Sequence, residues 1–101
     1  MEKQRRQEIK VALKALDDAI GPRSGGWEDL WEWHALVSFG PDVAELIFDE
    51  LRDGRINWYW LSLLRAVLGD GPEIPFQHKG NLEFVAGHWR NWAKDHGFLL
   101  G

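Results

Sequence analysis

The sequence predicts an all-α fold, a compact five-helix bundle in which antiparallel hairpins pack around one central buried helix at 57–68. Apolar residues recur at spacings of three and four along five segments, which is the period of a helix with one buried face. Glycine, often followed by proline, ends several of these segments, and no segment alternates apolar and polar residues as a strand does. With 101 residues, the chain is expected to form a single domain spanning 1–101.

The first two helices are predicted at about 2–20 and 27–38. In the first, Gly21 and Pro22 follow an apolar stripe and end the helix. The second follows a flexible joint, where Ser24 can act as the N-cap, and Gly40 closes it. The stripe of the first helix consists of Ile9, Leu13, Leu16 and Ile20.

The third helix is predicted at 41–53, with Pro41 in its first turn, and the fourth at 57–68, with Asn57 as its N-cap. The fourth reads NWYWLSLLRAVL and is apolar on nearly every face, so we expect the other helices to enclose it. Its Arg65 then needs an acid from the preceding helix or an aromatic stack on Trp58 or Trp89.

A loop is predicted at 69–80, because prolines and glycines interrupt it and it has no periodicity. Ile74 and Phe76 are expected to tuck into the core. The fifth helix is predicted at 81–96, with Asn81 as its cap. The apolar tail 98–100 is expected to fold back or to enter an interface, because three apolar residues are costly to leave in water.

Residues 34–100 carry strings that resemble a HEAT-type helical hairpin: Phe39-Gly40-Pro41-Asp42, then LRDG, then LLRAVLGD. The strings WYWLSLLRAVLGD, PEIPFQHKG and WRNWAKDHGFL are also similar to a family of small uncharacterised bacterial proteins. In that family, a Trp-rich buried helix precedes a Pro-rich loop and a closing helix with a Trp-x-x-Trp pair. The resemblance implies HEAT-like packing and no particular activity.

Composition narrows the function classes. The chain has no cysteine, which excludes disulfides, thiolate catalysis and cysteine-ligated zinc. Its charged start, MEKQRRQEIK, does not read as a signal peptide, and no apolar run reaches membrane-spanning length. We therefore expect a cytoplasmic protein with no membrane association. Most of the thirteen aromatic residues, seven of them tryptophan, are expected in the core, with one or two at a binding surface.

Charge is distributed unevenly, with a net of plus two over 1–26, minus seven over 27–53 and plus one over 54–101. The middle helices are therefore expected to present an acidic face to a basic protein partner. This predicts a non-catalytic interaction module of the antitoxin, immunity, anti-defence or adaptor type. Self-association through exposed aromatic side chains or the tail 98–100 is a further possibility. The acidic face comprises Glu28, Asp29, Glu32, Glu45, Asp49 and Asp53.

Two other function classes stay open. A nucleic-acid-binding protein would use the basic face of the first helix, although acidic residues interleave with it and the pI is about 5.5. A small metal-dependent enzyme is the third reading, but His88 and His96 are too far apart for a helical ligand pair. We therefore predict no enzyme activity, no catalytic residue, no cofactor and no metal. The basic face comprises Lys3, Arg6, Lys10 and Lys14.

Overall fold

The structure is a computed structural model that describes residues 2–22, 25–69 and 71–98. Within these ranges the chain is helical and contains no strand, so the predicted all-α fold with five helices is confirmed. Two short 3₁₀ turns, Trp27–Asp29 and Phe76–His78, precede the second and fifth helices. The helices are α1 (Lys3–Ile20), α2 (Trp31–Phe39), α3 (Asp42–Arg52), α4 (Trp58–Leu68) and α5 (Leu82–Asp95).

Two helices begin with the predicted asparagine caps. Asn57 Oδ1 accepts a hydrogen bond from the Trp60 backbone N–H at 3.0 Å, and Asn81 Oδ1 accepts one from Phe84 at 3.3 Å. The second helix starts later than predicted, at Trp31, because the backbone of Leu30 is extended and separates α2 from the preceding 3₁₀ turn. The predicted cap Ser24 lies outside the described residues.

The centre of the bundle is α3 and not, as predicted, the helix at 57–68. Helix α3 packs against each of the other four helices. Its apolar side chains recur at spacings of three and four over 11 residues, with acidic residues on the opposite side of the helix. The apolar face is therefore buried as a whole. The core residues that α3 contributes are Val43, Ala44, Leu46, Ile47, Phe48 and Leu51.

The expected enclosure of the fourth helix is only partly observed. Four α4 residues are buried, but Trp58 is 39% exposed and Arg65 is also exposed. The helix packs against α2, α3 and α5, and its remaining side borders a groove. Apolar periodicity could not separate these environments, because a groove wall and a core both require apolar side chains. The buried residues are Tyr59, Leu61, Leu63 and Leu64.

The end of the described chain folds back onto the core. Phe98 N–H donates to the Ala93 carbonyl at 2.8 Å, and the Phe98 ring lies 5.1 Å from that of Phe48. This confirms the prediction for Phe98, while 99–100 lie outside the described residues. In the preceding loop Ile74 packs against the core as predicted. The prediction for Phe76 is wrong, since its 3₁₀ turn leaves the side chain 87% exposed.

Candidate binding surfaces

The structure divides the predicted acidic face into paired and unpaired carboxylates. Asp49 accepts hydrogen bonds from Arg6 and, at 3.2 Å, from Arg52. Asp53 lies 3.8 Å from an Arg55 nitrogen. Within the described residues, the other four acids form no ion pair: Glu28, Asp29, Glu32 and Glu45.

The paired acids lie in a groove of about 580 Å³ between α1, the end of α3 and the start of α4, which we call the ionic groove. Three of the four cations of the predicted basic face line it, and Lys3 does not. Asp49 and Asp53 line the same groove, so the two surfaces that the sequence suggested as rivals meet there. Its charged side chains are Arg6, Lys10, Lys14, Asp49, Glu50, Arg52, Asp53 and Arg55.

Ion pairs across this region hold α1 against α3. Arg6 bonds to Asp49, and Arg5 Nε donates to Asp42 Oδ2 at 2.6 Å. A second Arg5 nitrogen donates to the Phe39 carbonyl at 2.8 Å. Of the predicted basic face, Arg6 therefore pairs with the acidic side of α3, and its charge is already matched within the molecule.

Tyr59 forms the polar end of the core beside the ionic groove. Its hydroxyl donates to Asp17 Oδ1 at 2.5 Å and so links α4 to α1. Burial of the phenol raises the pKa of Tyr59, and the hydrogen bond to the Asp17 carboxylate and its negative charge raise it further. The hydroxyl therefore stays protonated at physiological pH and acts as a structural donor.

An exposed tryptophan marks a second surface. Trp31, the first residue of α2, is 72% exposed, whereas Trp33 is 6% exposed and anchors the helix in the core. We call Glu28, Asp29, Trp31 and Glu32 the Trp31 surface. Its three carboxylates belong to residues within three positions of Trp31 along the chain, so negative charge lies near an accessible indole ring.

The segment that carries the Trp31 surface is held in place by half-buried apolar side chains. Trp27 and Leu30 both pack against the core, and the Trp27 ring lies 6.4 Å from that of Tyr59. The Leu30 N–H donates to the Trp27 carbonyl at 3.1 Å, which closes the 3₁₀ turn. Trp31 is therefore displayed from an ordered segment, so little conformational entropy would be lost when a partner binds it.

A third surface is a groove of about 660 Å³ between α4, α5 and the loop that joins them, which we call the aromatic groove. The Arg65 guanidinium lies 5.4 Å from the Trp89 ring centroid, and it donates a hydrogen bond to the Pro72 carbonyl at 2.8 Å. The predicted aromatic stack of Arg65 is therefore confirmed, with Trp89 as the partner. The lining residues are Trp58, Leu61, Ser62, Arg65, Gly71, Pro72, Glu73, Ile74, Lys79, Val85 and Trp89.

Gly71 brings the loop directly onto the Trp89 ring. A Cβ at this position would lie 2.5 Å from Trp89 Cη2 and 3.1 Å from Arg65 Nη1, so the close approach requires glycine. Sequence reasoning missed this groove. Two features of the sequence could have indicated it. The fourth helix has more apolar residues than one buried face needs, and the glycines and prolines of the next segment allow a loop to pass close to two helices.

Two of the four histidines, His78 and His88, lie near each other, with ring centroids 6.2 Å apart. His78 stacks on Phe84, with ring centroids 4.4 Å apart, and His96 stacks on Trp92 at 3.9 Å. In the part of the chain that the structure describes, no three His, Asp or Glu side chains are grouped so that they could hold a metal ion.

Comparison with known proteins gives no relative: no family model, curated protein or solved structure matches this chain. The HEAT-like resemblance of residues 34–100 therefore remains a prediction. Over the described ranges, no helix combines the length and apolarity needed to cross a bilayer.

Proposed function

We propose that this chain is a non-catalytic interaction module that binds a basic protein partner, with the Trp31 surface at the centre of the contact. The observation that carries this proposal is a tryptophan 72% exposed beside three carboxylates that form no ion pair within the described residues. An indole ring in water is a large apolar area that a partner can bury.

Two physical arguments support the surface. Tryptophan is enriched among interface residues that contribute most of the binding energy, and such residues tend to be ringed by polar contacts. Glu28, Asp29 and Glu32 add three negative charges, and Glu45 on the neighbouring helix α3 adds a fourth. Their field would attract a basic surface and raise the association rate.

The test is capture of the partner by the tagged full chain from its native cells, followed by affinity measurement with the purified partner. Trp31→Ala should weaken binding by about 2 kcal/mol, or roughly 30-fold, because it removes the apolar anchor. Phe76→Ala is the matched control, since it removes another aromatic side chain that is 87% exposed and lies outside the Trp31 surface.

Charge reversal tests the electrostatic part separately. The variant with Glu28→Lys and Glu32→Lys should slow association with the partner and reduce its salt dependence, with a smaller change in dissociation rate. Unchanged affinity in both this variant and Trp31→Ala would refute the proposal. Sedimentation of the free chain tests self-association. If the chain forms a homodimer that Trp31→Ala dissociates, the Trp31 surface is a dimer interface, and the proposal of a basic partner is overturned.

Nucleic-acid binding through Lys3, Arg6, Lys10 and Lys14 is the second candidate. Its support is that Lys10 and Lys14 share the ionic groove with Arg52 and Arg55. Three carboxylates line the same groove and would repel phosphates, so we rank it below protein binding. Gel shift at low salt with duplex and single-stranded DNA and RNA tests it, and no retardation at micromolar protein would exclude it.

A further inference from the structure

The aromatic groove has no role in the proposed function and lies outside the Trp31 surface. We propose that it is a binding site for a small aromatic carboxylate, with the ring of the ligand against Trp58 and its carboxylate hydrogen-bonded to Arg65. This inference does not depend on the proposed function, because it involves different residues.

The shape and lining of the groove suit a small ring-bearing molecule. Its volume of about 660 Å³ falls within the roughly 300–1,000 Å³ typical of ligand sites. Leu61, Ile74 and Val85 supply apolar walls. Trp89 is 1% exposed and is covered by its neighbours, whereas Trp58 is 39% exposed and offers ring surface on which a ligand can stack.

Arg65 supplies the recognition of the anion. Its guanidinium is held by the Trp89 ring and the Pro72 carbonyl, while the side chain remains exposed at the groove. A guanidinium has five N–H donors, and the bond to Pro72 uses one of them. Because the side chain is already fixed, it would lose little rotamer entropy when it binds a carboxylate through two parallel hydrogen bonds.

The remaining charges of the groove favour an anion. Lys79 adds a second cation, and Glu73 is the one carboxylate among the described lining residues. Within the described chain, Arg65, Lys79 and Glu73 form no ion pair. The ionic groove is different, because each of its carboxylates forms an ion pair with an arginine.

The experiment is a titration of the full ¹⁵N-labelled chain with 2-naphthoate, followed through the tryptophan indole N–H signals. The Trp58 signal should shift and saturate, with a Kd on the order of 10⁻⁴ to 10⁻³ M for a ligand of this size. The matched probe 2-naphthylmethylamine has the same ring but the opposite charge, and it should bind at least about tenfold more weakly. Equal binding of the two probes, or no saturable shift, would overturn the proposal.

Variants then locate the site. Arg65→Gln should weaken 2-naphthoate binding at least about tenfold and abolish the preference over the amine. Trp58→Ala should remove saturable binding, while Trp31→Ala should leave it unchanged and so separates this site from the proposed protein contact. Circular dichroism checks that each variant is folded. Unaltered 2-naphthoate binding by both Arg65→Gln and Trp58→Ala in folded protein would refute the assignment.

Discussion

Substitution of two acidic residues on α3 tests whether the charges of this helix stabilise the fold or are available to a partner. Asp49 is bonded to Arg6 of α1 and to Arg52, and its side chain is 31% exposed. Glu45, about one turn earlier on the helix, is exposed and forms no ion pair within the described residues. We predict that Asp49→Lys destabilises the fold and that Glu45→Lys leaves it nearly as stable.

The expected size follows from the two broken pairs. Partly exposed ion pairs contribute about 0.5 kcal/mol each, so the loss of both costs about 1 kcal/mol. A lysine between Arg6 and Arg52 adds repulsion of similar size, which brings the total to about 2 kcal/mol. Glu45→Lys loses only a favourable interaction with the N-terminus of α3, about 0.5 kcal/mol.

The assay is thermal unfolding of the full chain, monitored by circular dichroism. The difference of about 1.5 kcal/mol between the variants corresponds to a Tm gap of roughly 6–12 °C for a domain of this size. The gap should narrow in 1 M NaCl, where the screening length is about 3 Å. Equal Tm values at low salt would refute the reasoning that the Asp49 cluster stabilises the packing of α1 on α3.

Two further predictions concern Tyr59 and Asn57. Tyr59→Phe should lower the free energy of unfolding by about 1 kcal/mol at pH 8 in urea titrations, because it removes the donor to Asp17. The folded pKa of Tyr59 lies above the unfolded value near 10, so its stabilisation is intact below pH 10 and is lost progressively as the pH rises above it. The difference in unfolding free energy between the wild type and Tyr59→Phe should therefore shrink by about 1 kcal/mol at pH 11. A difference that stays constant with pH would contradict this assignment. Asn57→Ala should cost about 1 kcal/mol in the same assay through loss of the N-cap of α4, and an unchanged urea midpoint would show that the cap contributes nothing.

Local features of this protein could be predicted because they depend on neighbouring residues in the chain. The caps of α4 and α5 require only an asparagine side chain three residues before a free backbone N–H. The stripe of α1 requires only apolar residues at helical spacing. The aromatic partner of Arg65 was also foreseeable, because a guanidinium on a largely apolar helix has few kinds of neighbour that stabilise it.

The candidate site was harder to predict, because it depends on which helix faces pack together. Helical spacing predicts that Arg6 and Asp49 lie on the surfaces of two different helices. It does not reveal that their side chains pair, because the two residues are 43 positions apart in the sequence. Periodicity also treated the apolar residues of α4 as core, although part of that helix lines a groove.

By itself, the sequence determined the five helices, the caps of α4 and α5 and the excess of negative charge over 27–53, because these follow from composition and from interactions within a few turns. Only the tertiary structure decided that α3 is central, that Asp49 is paired, that Trp31 is exposed, and that Gly71 closes a loop onto Trp89. The physical reason is that pairing, burial and groove formation depend on distances between residues far apart in the chain, which the packing of the helices sets.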